Sequence, residues 1–165
     1  MKKISMIVLT VLTFGMTSCD MDKMPYDAIP AEEALTTIVG FEEARAGIYS
    51  VYLGLTGGSY VLAPEVQADA FNAVADFSNK YGELHRWTFE STNSTVETIW
   101  ANCYAAIGRA NFFIDGVGKI DENPEIELTE IQKQQINVYE GEAYFTRAYC
   151  YFYLATLFCR DYDVD

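Results

Sequence analysis

Gly141–Phe158 reads Gly-Glu-Ala-Tyr-Phe-Thr-Arg-Ala-Tyr-Cys-Tyr-Phe-Tyr-Leu-Ala-Thr-Leu-Phe. At helical spacing, its apolar side chains form two stripes on neighbouring faces, whereas a helix on the surface of a domain needs only one. The stretch therefore predicts a core helix packed between other helices, with Gly141 and Ala148 small enough to let a neighbouring backbone come close. The first stripe is Phe145, Ala148, Tyr149, Phe152 and Ala155, and the second is Tyr144, Tyr151, Leu154 and Phe158.

Two capping-box patterns predict where the long helices of the C-terminal half begin. Ser94 and Glu97 form the first pattern, and the helix that follows continues to about Val117. Residues 129–132 repeat the pattern before a last helix that runs to about Cys159. A short acidic connection joins the two helices, which predicts an antiparallel hairpin of the kind that repeats in helical solenoids. The fold class expected is all-α, with tetratricopeptide-like hairpins.

The N-terminal half predicts shorter elements. A first helix starts near Pro30–Ala31, is interrupted at Gly40, and is followed by a second helix over Phe41–Leu53. Three further features are predicted downstream: a short helix that starts at Pro64 and contains Val66, Ala70 and Ala73, a turn at Asn79–Gly82, and either a short strand or an extended segment at Trp87–Phe89.

Residues 1–18 have the plan of an export signal. Two lysines precede an apolar run that is too short to span a bilayer, and short side chains lead to Cys19. A small-residue pair followed by cysteine is typical of bacterial lipoprotein signals, although Met16 stands where leucine is usual. A plain secretory signal with an incidental cysteine is the alternative. We expect residues 1–18 to be removed, Cys19 to carry the lipid anchor, residues 19–30 to form a tether, and residues 31–165 to form the helical domain.

The charge of the chain excludes whole classes of partner. Removal of residues 1–18 takes away two of the 11 basic residues and none of the 24 acids, which leaves a formal charge of −15. Nucleic acid and anionic membrane surfaces are bound through basic patches, so neither is expected as a partner. The length suffices for one domain.

The residues that carry catalysis or bind metals are sparse. The chain has one histidine, His85, and no Gly-rich phosphate loop, nucleophile triad or zinc-type spacing. We therefore expect no enzyme activity, no metal and no cofactor. Cys150 and Cys159 lie on opposite sides of one predicted helix and cannot bridge each other, so at most one of them could pair with Cys103.

Four blocks of residues stand in a distinctive order. They are Cys19 with its short acidic tether, Phe41-Glu-Glu-Ala-Arg-Ala-Gly-Ile-Tyr49, Trp100-x-x-x-Tyr104-x-x-Ile107-x-x-Ala110-Asn111, and Gly141-Glu-Ala-x-Phe-x-Arg-Ala148 followed by Tyr-x-Tyr-Phe-Tyr-Leu. Together these blocks resemble the N-terminal part of the SusD/RagB family, the surface glycan-binding lipoproteins of Bacteroidetes. The resemblance covers about the first third of a family member.

The resemblance implies a mostly helical lipoprotein that caps a SusC-type TonB-dependent transporter in the outer membrane and delivers oligosaccharides or other nutrients to it. One departure is that Phe158 is followed by Cys159-Arg160-Asp161-Tyr162, whereas the family usually continues Phe-Gly-Asp-x-Pro. The family's glycan platform lies largely in its later part, so no ligand-binding residue is carried over. The features carried over are lipidation at Cys19 and the helical scaffold that faces the transporter.

Three groups of side chains are candidate sites. Trp87, with Tyr81 nearby, could stack on a sugar ring, although ordinary packing is the favoured role. Glu142, Arg147, Arg109 and Asn111 are expected to make structural contacts, with an ion pair or cap between helices and an amide bonded to backbone. The alternating acids Asp161, Asp163 and Asp165 favour a solvated end over a calcium loop, because the glycine and distal glutamate of such a loop are absent.

One hairpin covers only one side of a helix with two apolar stripes. Either Phe41–Leu53 and the Tyr60–Asp76 region cover the second stripe, or the sequence is the front of a longer protein, which is what we expect. The function predicted is non-catalytic capture of a glycan or other nutrient at the cell surface. The alternative is a lipid-anchored helical scaffold for protein–protein contacts, and a glycoside hydrolase is the least favoured reading.

Overall fold

The computed structural model describes residues 30–74, 79–123 and 126–160. Residues 1–18, Cys19, nearly all of the predicted tether and the acids at 161, 163 and 165 lie outside that part of the chain. Within it the chain forms helices and connections without a strand, which confirms the all-α prediction. None of these helices is long and apolar enough to cross a membrane. The helices are α1 (Ala31–Ala34), α2 (Ile38–Leu55), α3 (Ser59–Gln67), α4 (Gly82–His85), α5 (Ser94–Gly118) and α6 (Glu130–Phe158).

The start of α6 confirms the second capping box. The backbone N–H of Gln132 donates to the Thr129 hydroxyl at 3.3 Å, and the Thr129 N–H donates to the Gln132 side-chain oxygen at 2.8 Å. The first predicted box is wrong by one residue, because Asn93 caps α5. Its Oδ1 accepts from the N–H groups of the two residues after Ser94, at 3.0 and 3.4 Å. An asparagine side chain caps a helix as well as serine does, and Asn93 precedes Ser94.

Helices α5 and α6 pack against each other through a line of mostly small side chains, which we call the seam. The residues of α6 that are buried there are not the ones that the sequence predicted. Both predicted aromatic stripes lie largely beside the buried line, which consists of Ile136, Tyr139, Ala143, Thr146, Cys150 and Leu154. Small residues let the two helices approach closely, so large rings are displaced to the edges of the contact. The facing small residues on α5 are Cys103, Ala106 and Ala110, all without exposed surface.

Helix α2 packs against both α5 and α6. The predicted interruption at Gly40 is wrong: the chain breaks between α1 and α2, and Thr37 caps α2 by accepting from the Gly40 N–H at 3.2 Å. Gly40 is needed inside the helix because a Cβ there would lie 2.1 Å from the Ala34 carbonyl oxygen. Phe41 is fully buried and meets the ring of Phe113 edge to face at 5.6 Å.

The prediction that a helix starts at Pro64 is wrong, because α3 starts at Ser59 and Pro64 lies inside it. Proline has no N–H, so the carbonyl of Tyr60 loses its usual partner one turn later. The hydroxyl of Tyr153 on α6 donates to that carbonyl instead. A bond from another helix thus replaces the bond that Pro64 cannot make, and α3 continues through it.

The connection between α3 and α5 contains the turn predicted at Asn79–Gly82, followed by α4. Trp87–Phe89 forms no strand; it leaves α4 in a turn and continues as irregular backbone. Among the described residues of this connection, four that lack the freedom of glycine have positive φ angles, and such conformations are uncommon. They are Asp69, Asn79, Tyr81 and Trp87, with φ of 59°, 50°, 64° and 56°.

Candidate functional site

Trp87 lies on the surface, with 66% of its side chain exposed. Its indole N–H donates to the carbonyl oxygen of Gln67 at 3.2 Å, and its ring lies 6.2 Å from that of Phe89 at an angle of 44°. The exposed ring is therefore held in place by a hydrogen bond and an aromatic neighbour. A fixed and accessible indole suits stacking against an apolar sugar face.

Tyr81 is placed differently from Trp87. It is half-buried against the core, and its hydroxyl lies 2.9 Å from the Ser59 hydroxyl oxygen. The Lys80 ammonium lies 5.0 Å from the ring centroid. Tyr81 lines a groove of about 330 Å³ together with Phe71, and Trp87 is not part of that lining. The two candidates thus do not form one binding platform, and the sugar-stacking prediction rests on Trp87.

The carboxylate of Glu142 pairs with Arg45. The Arg45 Nε and Nη2 atoms donate to the two carboxylate oxygens at 2.5 and 2.9 Å, and the guanidinium carbon lies 4.3 Å from the Tyr139 ring centroid. The hydrogen bonds from Arg45 lower the pKa of Glu142 and raise that of Arg45. This bidentate pair joins α2 to α6 and confirms the predicted structural ion pair. Its arginine, however, is not one of the two arginines that were named with Glu142 in the sequence analysis.

The other members of that block also make structural contacts. Arg109 donates through Nη1 to the Gly47 carbonyl at 2.6 Å and to the Ser50 hydroxyl at 2.8 Å, which fixes α5 to α2. Arg147 donates through Nη1 to the Asn111 side-chain oxygen at 3.0 Å. The prediction that Asn111 bonds backbone is wrong, because Asn111 is exposed and accepts from a side chain across the hairpin.

An exposed apolar face, which we call the outer face, lies on α6; the sequence predicted an uncovered face but placed several of these residues on the buried side. Phe145 and Phe152 are 58% and 68% exposed, and no residue of the outer face is charged. Tyr52 of α2 lies at its edge, with ring centroids 6.1 Å from Phe145. The outer face consists of Gly141, Tyr144, Phe145, Ala148, Tyr151, Phe152 and Ala155.

A signal in the sequence could have revealed this arrangement. The buried line of α6 recurs at alternating steps of three and four residues from Ile136 to Cys150, a heptad pattern rich in small side chains. Aromatic content drew attention to the neighbouring faces instead. The first of the two explanations holds for part of the second stripe only. Leu154 is buried in a cluster that includes Tyr60 and Val66 of α3, whereas Tyr144 and Tyr151 are left exposed by the described residues of α2 and α3.

No group of three or more His, Cys, Asp or Glu side chains that could hold a metal ion occurs in the described ranges. The His85 Nε2 lies 3.6 Å from an Asp69 carboxylate oxygen at the surface. The named polar side chains of α5 and α6 make ties between helices, and Trp87 and the outer face are accessible.

Comparison with known proteins gives the family. A family model described as SusD-like, starch-binding and associating with the outer membrane matches residues 24–164. The SusD-like protein P2 of Formosa agariphila is 26% identical over 163 residues, covering 94% of this chain and 29% of that protein. The chain thus spans less than a third of the length of this curated relative, and no solved structure matches it significantly. As the order of its four sequence blocks predicts, the chain belongs to the SusD-like family.

Proposed function

We propose that the chain is the N-terminal part of a non-catalytic outer-membrane lipoprotein that binds a glycan or other nutrient and hands it to a SusC-type TonB-dependent transporter. The observation that carries this proposal is the family match over residues 24–164, which starts five residues after Cys19. In this proposal residues 1–18 are the export signal, Cys19 carries the acyl chains, and residues 19–30 form the tether. More than one acyl chain is needed for a stable anchor.

Residues 31–165 supply a rigid scaffold in this proposal, and their outer face is an internal contact surface of the complete protein. The curated relative extends well beyond the matched region, and an uncharged aromatic helix face of this size is seldom left in water. The part of the protein that follows residue 165 would cover it.

Trp87 is the residue of this part of the chain that we propose to contact the glycan. Its fixed ring lies in a connection between helices, where binding residues are commonly found. Tyr81 is a weaker candidate for contact with the glycan, because its hydroxyl and its ring already have partners within the domain.

The test is binding of the full-length lipoprotein to soluble starch and to a panel of other polysaccharides, measured by affinity electrophoresis and calorimetry. Removal of a stacking ring in Trp87→Ala is expected to weaken binding to the recognised glycan roughly tenfold. Trp100→Ala is the matched control, because Trp100 is also exposed but lies on α5 against Tyr104 and Phe158.

Two results would count against parts of the proposal. Equal affinities for both tryptophan variants would remove Trp87 from the site and leave glycan binding to the later part of the protein. Absence of binding to every glycan, together with stable recovery of a membrane protein complex, would favour the alternative of a lipid-anchored scaffold for protein contacts.

A further inference from the structure

Two cysteines meet in the seam between α5 and α6. Cys103 and Cys150 are free thiols without exposed surface, and both pack in the same core cluster. Cys159 is exposed at the C-terminal end of α6. One cysteine from each helix therefore faces the other inside the core, and the third stands apart.

Contacts on both sides of the two cysteines hold this part of the hairpin together. Trp100 meets Phe158 edge to face at 5.0 Å on one side, and Arg147 donates to Asn111 at 3.0 Å on the other. The helices run antiparallel, and their buried residues match in reverse order: Ile99, Cys103 and Ala106 on α5 correspond to Leu154, Cys150 and Thr146 on α6. The pairing follows from the packing of the hairpin and does not depend on a mobile loop.

We propose that Cys103 and Cys150 form a disulfide that joins α5 to α6 in the exported protein. The proposal rests on the proposed function in one respect, which is that export places the chain in a compartment where disulfides persist. Sequence reasoning allowed one bridge to Cys103 without choosing its partner. The structure chooses Cys150, because Cys159 lies outside the seam.

The reaction is a thiol–disulfide exchange with an oxidising protein disulfide. The thiolate of one cysteine attacks that disulfide and forms a mixed disulfide, and the second thiolate displaces the partner as a dithiol. The two cysteines together lose two protons and two electrons, and the partner gains them. The bond closes the loop that contains the whole α5–α6 connection, so it removes freedom mainly from the unfolded chain.

Burial determines when the bond forms. Neither thiol has any exposed surface once the hairpin has closed, so an oxidising protein disulfide can no longer reach them. We therefore expect oxidation during folding, before the seam is sealed. Afterwards the same burial keeps reductants away from the bond.

The test is peptide mapping of the full-length lipoprotein isolated from the outer membrane, denatured and alkylated without reduction. Trypsin releases Cys103 within residues 87–109 and Cys150 within residues 148–160. The expected result is a cross-linked pair of these peptides that separates on reduction. Residues 148–160 also contain Cys159, so the Cys159→Ser variant serves as the control and is expected to retain the cross-link.

A second measurement compares the midpoint of thermal unfolding with and without reductant. Reductant added during thermal unfolding is expected to lower the midpoint by about 5 °C. The same reductant should leave the midpoint of the Cys103→Ala variant unchanged.

Alkylation of both Cys103 and Cys150 in the unreduced sample would overturn the proposal, and so would a bond from either residue to Cys159. The same digest reports on Cys19, so acylated Cys19 with free core thiols would leave the proposed function standing and remove the disulfide alone.

Discussion

At the scale of single residues, Glu142 is a carboxylate with a structural role in the fold. It accepts two hydrogen bonds from Arg45, and the side chains of the pair are 27% and 36% exposed. Glu142→Gln removes the charge and leaves the guanidinium between aromatic rings without its counter-ion. Because solvent screens a pair this exposed, we expect a loss of about 1 kcal/mol in the free energy of unfolding, measured by urea denaturation at pH 7.

The same pair predicts a pH dependence. The folded state lowers the pKa of Glu142, so its contribution is fully present above the unfolded value of about 4.3 and is lost as pH falls through the lower folded value. The stability difference between wild type and Glu142→Gln should therefore vanish in acid. Glu43→Gln, an exposed carboxylate on α2, is the control and should change stability little at any pH. A difference that persists at low pH would contradict the ion-pair interpretation.

At the scale of elements, the helix α3 depends on a hydroxyl from α6. Tyr153→Phe leaves the Tyr60 carbonyl without its donor, and we expect a cost of about 1–2 kcal/mol in stability. Pro64→Ala restores a backbone N–H that can bond the same carbonyl within α3. The cost of Tyr153→Phe should therefore fall by about half or more when it is made together with Pro64→Ala.

The double-mutant cycle is measured by urea unfolding of the four proteins. Tyr151→Phe is the matched control, because Tyr151 lies on the exposed side of the same helix and its hydroxyl removal should cost little. Additive effects of the two substitutions would show that the hydroxyl does not replace the missing helical bond.

Local signals in the sequence predicted elements well wherever the cause was local. The capping box at Thr129 and the length of α6 are confirmed because both depend on residues close together in the chain. Pro64 misled because the hydroxyl that bonds the Tyr60 carbonyl in place of the missing N–H comes from Tyr153, on a helix distant in the sequence. Gly40 misled because its role is a close approach to Ala34, which a glycine inside a helix does not reveal.

The candidate site was harder to predict for a related reason. The burial of α6 depends on which of its faces α5 approaches, and small side chains such as Ala143 and Cys150 decide that choice. Trp87 could be singled out from its polar surroundings, but its hydrogen bond to Gln67 and its separation from Tyr81 depend on the folded connection.

At the scale of the whole molecule, the outer face of α6 predicts a contact with the rest of the protein. Phe152→Ser in the full-length lipoprotein should lower stability by about 3 kcal/mol, because the ring is proposed to be buried there. Ile131→Ser is the control, since Ile131 is 77% exposed on the same helix but outside the outer face. Thermal unfolding of both variants gives the comparison, and equal midpoints would mean that the outer face stays in water.

The position of α2 also sets the order in which the protein can fold. This helix is made early, yet the surfaces that bury Phe41 and Ile48 belong to α5 and α6, which emerge from the ribosome and the export machinery later. The α5–α6 hairpin can form from neighbouring residues alone, whereas α2 must wait for it. We therefore expect the first long helix to be synthesised to be the last of the three to become protected from hydrogen exchange.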